Sequence, residues 1–361
     1  MEMKKTLLVL TLLGSIGTVA NAVTASSGKE YDRVIIAHRG ASGYLPEHTL
    51  EAKALAFAEG ADYLEQDLAM TKDDKLVVIH DHFLDGLTDV AKKFPNRARK
   101  DGRYYVVDFT LAEIQTLSMT ENFKTVDGKQ VQVYPDRFPM WKSHFEIHTF
   151  EQELEFIQGL EKSTGRTVGI YPEIKAPWFH HQNGKDIAKA TLEVLKKYGY
   201  TTKDSPVYFQ TFDYNELKRV KTKLLPEMGM NLKLVQLVAY TDWHETEEKN
   251  SKGEWVNYDY SWMFEKGAMK EISKYADGIG PGWYMMIDDK NSTKGHVKLT
   301  PMAGYIKTSG MECHPYTVRK DALPNYFDNV NEMYETLLYK ANATGLFTDF
   351  PDLGVKYVQS K

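Results

Sequence analysis

Short apolar, β-rich runs alternate with helix-capable segments along most of this chain. That alternation constrains the fold more than any other feature. Runs read as strands lie at 34–37, 63–67, 76–80, 168–174, 207–210, 234–239, 277–280, 312–316 and 346–348. The segments between them carry helix start and stop signals. Thr110, Thr149 and Asp213 are each followed three residues later by Glu or Gln, the pattern of an N-cap with its capping-box partner. Gly60 and Gly199 stand where helices over 52–59 and 187–198 would stop. Strand–helix repetition predicts a parallel sheet. Nine runs are present, and eight parallel strands close a barrel. The run 76–80 follows its predecessor after only the turn Thr71-Lys72-Asp73-Asp74, which leaves no room for a crossover helix. It is therefore read as an extra hairpin strand at the barrel mouth. The predicted fold is α/β, a TIM (β/α)8 barrel.

The rhythm breaks between 81 and about 149. This stretch holds Pro95, Pro135, Pro139 and the polar run 92–103, with a short helix pattern near 111–117. A structureless loop of that length is unusual in a compact domain, so the stretch is read as a small insertion domain after the second barrel strand. Its basic run is read as a solvated face. The N-terminus has the form of an export signal: Lys4 and Lys5, an apolar run over 7–13, and a small-residue site Ala20-Asn21-Ala22. Cleavage is expected after Ala22, which leaves 23–361 as the barrel domain with its insertion and places the protein in the periplasm. The apolar run is too short to span a bilayer. The single cysteine, Cys313, excludes an internal disulfide and lies far from the position a lipid anchor would need. Lys plus Arg number 45 against 50 Asp plus Glu, a net charge of −5 that argues against a nucleic-acid partner. Oligomeric state is not legible from the sequence.

Four short constellations carry chemistry. Ala37-His38-Arg39-Gly40-Ala41-Ser42-Gly43 follows the first strand, where a barrel builds its active site. An imidazole beside a guanidinium, with glycines for close backbone approach, suits an anionic phosphate. In Tyr63-Leu64-Glu65-Gln66-Asp67, strand alternation puts Glu65 and Asp67 on one face, a costly pairing unless a hard cation neutralises it. Val77-Val78-Ile79-His80-Asp81-His82 delivers His80 at the end of an apolar run. Tyr171-Pro172-Glu173-Ile174-Lys175 faces Glu173 and Lys175 together. Glu173 completes a three-carboxylate metal site on this reading, and Lys175 pairs with an anion or with Glu173. Together these parts supply a phosphodiesterase: a divalent ion to polarise phosphoryl oxygen, cations for the other oxygens, and two histidines to take and give protons near neutrality.

The same stretches, with Pro46-Glu47-His48-Thr49, His314-Pro315-Tyr316-Thr317-Val318-Arg319 and Gly345-Leu346-Phe347-Thr348-Asp349-Phe350-Pro351-Asp352, resemble the glycerophosphodiester phosphodiesterases, and closely their periplasmic bacterial branch. The resemblance spans essentially the whole chain after the signal. It implies a TIM barrel with an insertion after the second strand, and hydrolysis of deacylated phospholipids to sn-glycerol 3-phosphate and an alcohol. It also implies His38 and His80 as the acid/base pair, Arg39 as phosphate ligand with Lys175 as the matching site lysine, and Glu65, Asp67 and Glu173 as ligands to one divalent cation. Calcium is the usual ion of that branch, with magnesium in relatives. His48 stands where the wider family usually has Asn; Glu47 is read as support for the phosphate loop or a helix cap. The stretch His314-Pro315-Tyr316-Thr317 stands where many relatives carry a Trp-Thr pair, and is read as shaping the glycerol pocket.

Three further features stand apart. His180-His181 is read as part of a surface loop, the Trp283-Tyr284-Met285-Met286 cluster either as pocket lining for a choline head group or as packing, and Cys313 as a small buried residue. The alternatives are a relative acting on a bulkier lysophospholipid or phosphosphingolipid, and a non-catalytic exported binding protein on a barrel scaffold. The intact set of acid/base and carboxylate residues argues against the second.

Overall fold

The structure is a computed structural model and describes residues 32–361; the predicted export signal lies outside the described residues. In chain order the strands are β1 (Val34–Ala37), β2 (Tyr63–Met70), β3 (Leu76–Val78), β4 (Phe123–Val126), β5 (Lys129–Gln132), β6 (Gly169–Ile174) and β7 (Tyr208–Thr211). There follow β8 (Lys233–Leu237), β9 (Glu247–Lys249), β10 (Trp255–Asn257), β11 (Gly278–Gly280), β12 (Glu312–Cys313) and β13 (Gly345–Thr348). Eight of them pair in parallel in the order β12-β11-β8-β7-β6-β2-β1-β13. The outer two are joined by backbone bonds: Thr344 N–H donates to Cys313 O at 3.0 Å, Phe347 N–H to Pro315 O at 3.0 Å, and Val318 N–H to Phe347 O at 2.8 Å. The ring is the barrel that the strand–helix alternation predicts. β3 stands outside it, antiparallel to the end of β2 in the register Leu68↔Val78 and Met70↔Leu76.

β2 shows how sequence becomes architecture. Its side chains alternate, so Leu64 and Leu68 pack outward among the helices while Glu65 and Asp67 face the cavity at the barrel mouth. The barrel interior below is filled by aromatic rings. Tyr171 stacks on Tyr208 with centroids 4.8 Å apart, and Tyr63 meets Tyr208 edge-on at 5.1 Å. Gly169 makes room for them: a Cβ there would lie 2.2 Å from the Tyr63 ring.

The outer face of β2 also carries a polar residue, Gln66, and the helices answer it. Lys53 of helix Leu50–Ala58 pairs with Glu153 of helix Phe150–Thr164 at 2.8 Å. Gln66 Nε2 donates to the same carboxylate at 2.8 Å, and His148 Nε2 lies 2.6 Å from its other oxygen. All four residues are buried. Burial pushes the Glu153 carboxyl up, but Lys53 and His148 outweigh it and hold it down at about 2.

The helix caps follow the sequence with one exception. Thr110 and Thr149 form complete capping boxes with Glu113 and Gln152. Asp213 accepts from the Glu216 N–H at 2.9 Å, but Glu216 does not return the bond, because its carboxylate is held by Arg219 and His181. The predicted strand 312–316 stops at Cys313, since Pro315 has no N–H to continue the ladder. Between β3 and helix Phe150–Thr164 the chain runs outside the barrel. This stretch packs around an apolar cluster that includes Leu84, Val90, Phe109, Ile114 and Phe145 and reaches β2 and β3 through Ala69 and Val77.

Candidate active site

The cavity at the C-terminal ends of the strands measures about 510 Å³. His38, Arg39, Glu65, Asp67, His80, Glu173 and Lys175, the seven residues singled out from the sequence, all line it. Each arrives from a strand end or the turn beyond: β1, β2, β3 and β6.

The turn after β1 is shaped by Arg39 at φ 61° and Gly40 at φ 82°. A Cβ on Gly40 would lie 2.7 Å from the Ala52 carbonyl carbon, so only glycine lets the loop lie against helix Leu50–Ala58. Arg39 then works at both ends. Its N–H donates to Glu65 Oε2 at 2.6 Å and its Nη1 to Glu47 Oε2 at 2.7 Å. Glu47 thus steadies the arginine, while Thr49 caps the helix.

Both histidines are anchored through Nδ1. His38 Nδ1 lies 2.7 Å from Asp349 Oδ1, and His80 Nδ1 2.9 Å from Asp81 Oδ1. Burial, reinforced by the neighbouring Arg39, pushes His38 down to about 3, so its ring is neutral near neutral pH. A neutral ring that donates from Nδ1 keeps an open lone pair on Nε2. Asp349 is itself clamped: Arg319 Nε and Arg137 Nη2 donate to its Oδ2 at 2.7 and 2.8 Å. Burial pushes this carboxyl up, and Arg319, His38 and Arg137 together hold it well below the usual range.

The carboxylates on the floor are under strain of like charge. Burial and the adjacent Asp67 push Glu65 well above its ordinary value, against the pull of Lys53 and Arg39. Burial raises Glu173 to about 8, opposed by Lys175 and reinforced by Asp67. Asp67 goes the other way: burial raises it, but Lys175 and His48 hold it down. Lys175 Nζ lies 2.8 Å from Glu173 and 3.8 Å from Asp67. Three buried carboxylates with hard oxygen donors fit a divalent cation, whose charge would relieve the repulsion. Donor atoms within 4.8 Å of one another are offered by His48, Glu65 and Asp67. His48, however, is fully buried outside the cavity lining, with Nε2 2.8 Å from Asp67 Oδ2. It orients Asp67 from behind, while Glu173, paired across the sheet with Asp67, faces the cavity.

Sequence reasoning missed Asp349 and its arginine clamp. The one available signal was its place after the last strand, at the same ring level as His38. One other reading is narrowed and one is corrected. Of the stretch His314-Pro315-Tyr316-Thr317, read as shaping the glycerol pocket, Tyr316 and Thr317 line the cavity, while His314 is buried in the barrel interior with Nδ1 2.9 Å from the Tyr171 hydroxyl. His180 is not in a surface loop. Pro177 starts a helix, Pro177–Gln182, and His180 is buried with Nε2 accepting from the Met70 N–H at 3.1 Å. Of the 283–286 cluster, Tyr284 lines the cavity and both methionines are packing. Cys313 is buried as read.

The model of the glycerophosphoryl diester phosphodiesterase family matches residues 38–353. A glycerophosphodiester phosphodiesterase of Haemophilus influenzae is 68% identical over 99% of both chains. One of Treponema pallidum is 54% identical, covering 95% of this chain and 96% of its own. Among solved structures, a phosphodiesterase of Oleispira antarctica in complex with the product sn-glycerol-3-phosphate superimposes with a TM-score of 0.56 at 19% identity, over 90% of this chain and 96% of that one. A glycerophosphodiester phosphodiesterase of Thermotoga maritima gives 0.51 at 18% identity, over 91% and 99%. At such identities the structural matches speak for the fold alone.

Proposed function

The chain belongs to the glycerophosphoryl diester phosphodiesterase family and is a glycerophosphodiester phosphodiesterase; from that premise we propose that it hydrolyses deacylated phospholipids to sn-glycerol 3-phosphate and an alcohol by two-histidine acid/base catalysis. One observation carries the reading. Two histidines, each anchored through Nδ1 by a carboxylate, share a cavity with three buried carboxylates and the cations Arg39 and Lys175.

Each residue has a defined task. Arg39 and Lys175 take the phosphate oxygens, as fixed, desolvated positive charges suit. His38, neutral and open at Nε2, removes the proton from the attacking hydroxyl or water. His80 gives a proton to the leaving alkoxide from its own Nε2. Glu65, Asp67 and Glu173 are the proposed ligands of one divalent cation, calcium in this reading, with magnesium as the alternative. When bound, that ion supplies positive charge to polarise a phosphoryl oxygen. Lys175 would then release Glu173 and turn to the phosphate, while His48 keeps Asp67 in place.

The export pattern at 1–22 supports a periplasmic location for the mature chain 23–361. The separate apolar cluster supports reading 81–149 as a small insertion domain at the rim of the cavity, to which it contributes His82 and Phe83. No nucleic acid and no stable membrane anchor enter the proposal; among the described residues no helix is long and apolar enough to cross a membrane.

The deciding experiment is release of glycerol 3-phosphate from glycerophosphocholine by the mature protein, with chelator and then with calcium or magnesium restored. Activity lost to chelator and regained with one ion is the expected result. Full activity in chelator would overturn the metal assignment, and no activity with any ion would overturn the substrate.

A further inference from the structure

β8 stands opposite β1 in the ring, and the loop that follows β8 builds the wall facing Arg39. His244, at φ 53°, turns this loop, and the residues on either side of it, Trp243 and Glu245, both reach the cavity. The Trp243 and Tyr284 rings lie 5.9 Å apart, and Tyr240 completes a triangle at 5.3 and 6.1 Å. Trp178 Nε1 donates to the Glu245 carbonyl at 3.1 Å, which ties a further ring to the same spot. Trp243 is left 42% exposed, a large apolar ring with a face to spare.

The Glu245 carboxylate is the odd member of the cavity. Every other acid there is engaged: Glu65 by the Arg39 N–H, Asp67 by His48, Asp81 by His80 and Glu173 by Lys175. Among the described residues, Glu245 takes no side-chain hydrogen bond or ion pair. The charge of Lys175 reaches it, but that ammonium is bonded to Glu173. A free carboxylate repels the phosphate that the rest of the cavity attracts. It becomes favourable when the substrate carries a positive charge beyond its phosphate.

Aromatic faces flanking a carboxylate are the chemistry that holds quaternary ammonium groups. Resting on the phosphodiesterase reading above, we propose that Glu245, Trp243, Trp178 and Tyr284 form the subsite for the alcohol half of the substrate, and that this subsite selects a cationic amino alcohol of the choline type over a neutral one such as glycerol.

The test compares kcat/KM for glycerophosphocholine and glycerophosphoglycerol in the wild type, Glu245→Gln and Trp243→Ala. The wild type is expected to favour the choline diester, and each variant to cut that preference about five- to tenfold, chiefly through KM. An unchanged ratio in both variants would overturn the subsite. An independent arm titrates tryptophan fluorescence with choline alone. Saturable quenching in the wild type that weakens in Glu245→Gln is expected; its absence in the wild type also overturns the proposal. If the wild type cleaves neither diester, the phosphodiesterase reading fails, and the choline titration still decides the subsite by itself.

Discussion

His38 owes its role to what surrounds it rather than to its own chemistry. Burial and Arg39 keep it uncharged, and Asp349 decides which nitrogen bears the proton. His38→Ala and His80→Ala are each expected to lower kcat by at least about 100-fold, the usual cost of losing a general acid or base; steady-state assays with the ion present would measure it. Asp349→Asn leaves the side-chain volume but removes the charge that orients His38. It should lower kcat by about 10–100-fold while KM moves less, and a variant whose loss lay mostly in KM would refute the orienting role. The seven lining residues were legible because two of the rules involved are local: strands alternate their faces, and barrel sites sit at strand ends. Asp349 was not legible as a partner of His38, because the two lie 311 positions apart and meet only when the first and last strands pair. The stretch 314–317 was legible as a pocket element but not residue by residue: Tyr316 and Thr317 reach the cavity and His314 does not.

At the level of elements, the eight-stranded parallel barrel could be read from the strand–helix alternation, and the odd hairpin strand from spacing, since a four-residue turn cannot hold a crossover helix. The small hairpins β4–β5 and β9–β10 could not. Each is short, largely solvated and lacks a one-sided apolar pattern, so no periodicity marks it. Equally hidden was the outer face of β2, where Gln66 sits in a position that normally holds an aliphatic residue. The buried Lys53–Glu153–His148 group that satisfies it also fixes the strand carrying Glu65 and Asp67, because Lys53 Nζ bonds the Glu65 carbonyl oxygen. Lys53→Met removes one partner and leaves Glu153 buried without its cation. The expected loss is about 3–5 kcal/mol of unfolding free energy, read from urea denaturation. A loss under about 1 kcal/mol would mean that His148 and Gln66 suffice.

Across the whole molecule, the segment outside the barrel is tied back by Arg137, which bonds Asp321 and Asp349 and donates to the Ser42 carbonyl. Beside that tie lies Glu121, 3% exposed and with an unpartnered Oε2. Burial, with Glu47 and Asp349 adding repulsion against the pull of Arg137, pushes it up to about 8 from an ordinary 4.5. Between those pH values the folded chain keeps a proton that the unfolded chain has lost, so this group's contribution to stability falls as pH rises. Glu121→Gln removes the dependence. It should match the wild type at pH 4 and exceed it at pH 9 by on the order of a few kcal/mol, measured by thermal or urea unfolding. Equal slopes of stability against pH would refute it. The pairing of β1 with β13 has a consequence for biosynthesis. The ribosome makes the base of the site near the start of the chain and its orienting carboxylate near the end. A chain without β13 therefore carries both histidines but leaves His38 without its orienting carboxylate. Closure of the ring between β1 and β13 is thus the step that brings Asp349 to His38 and completes the oriented base.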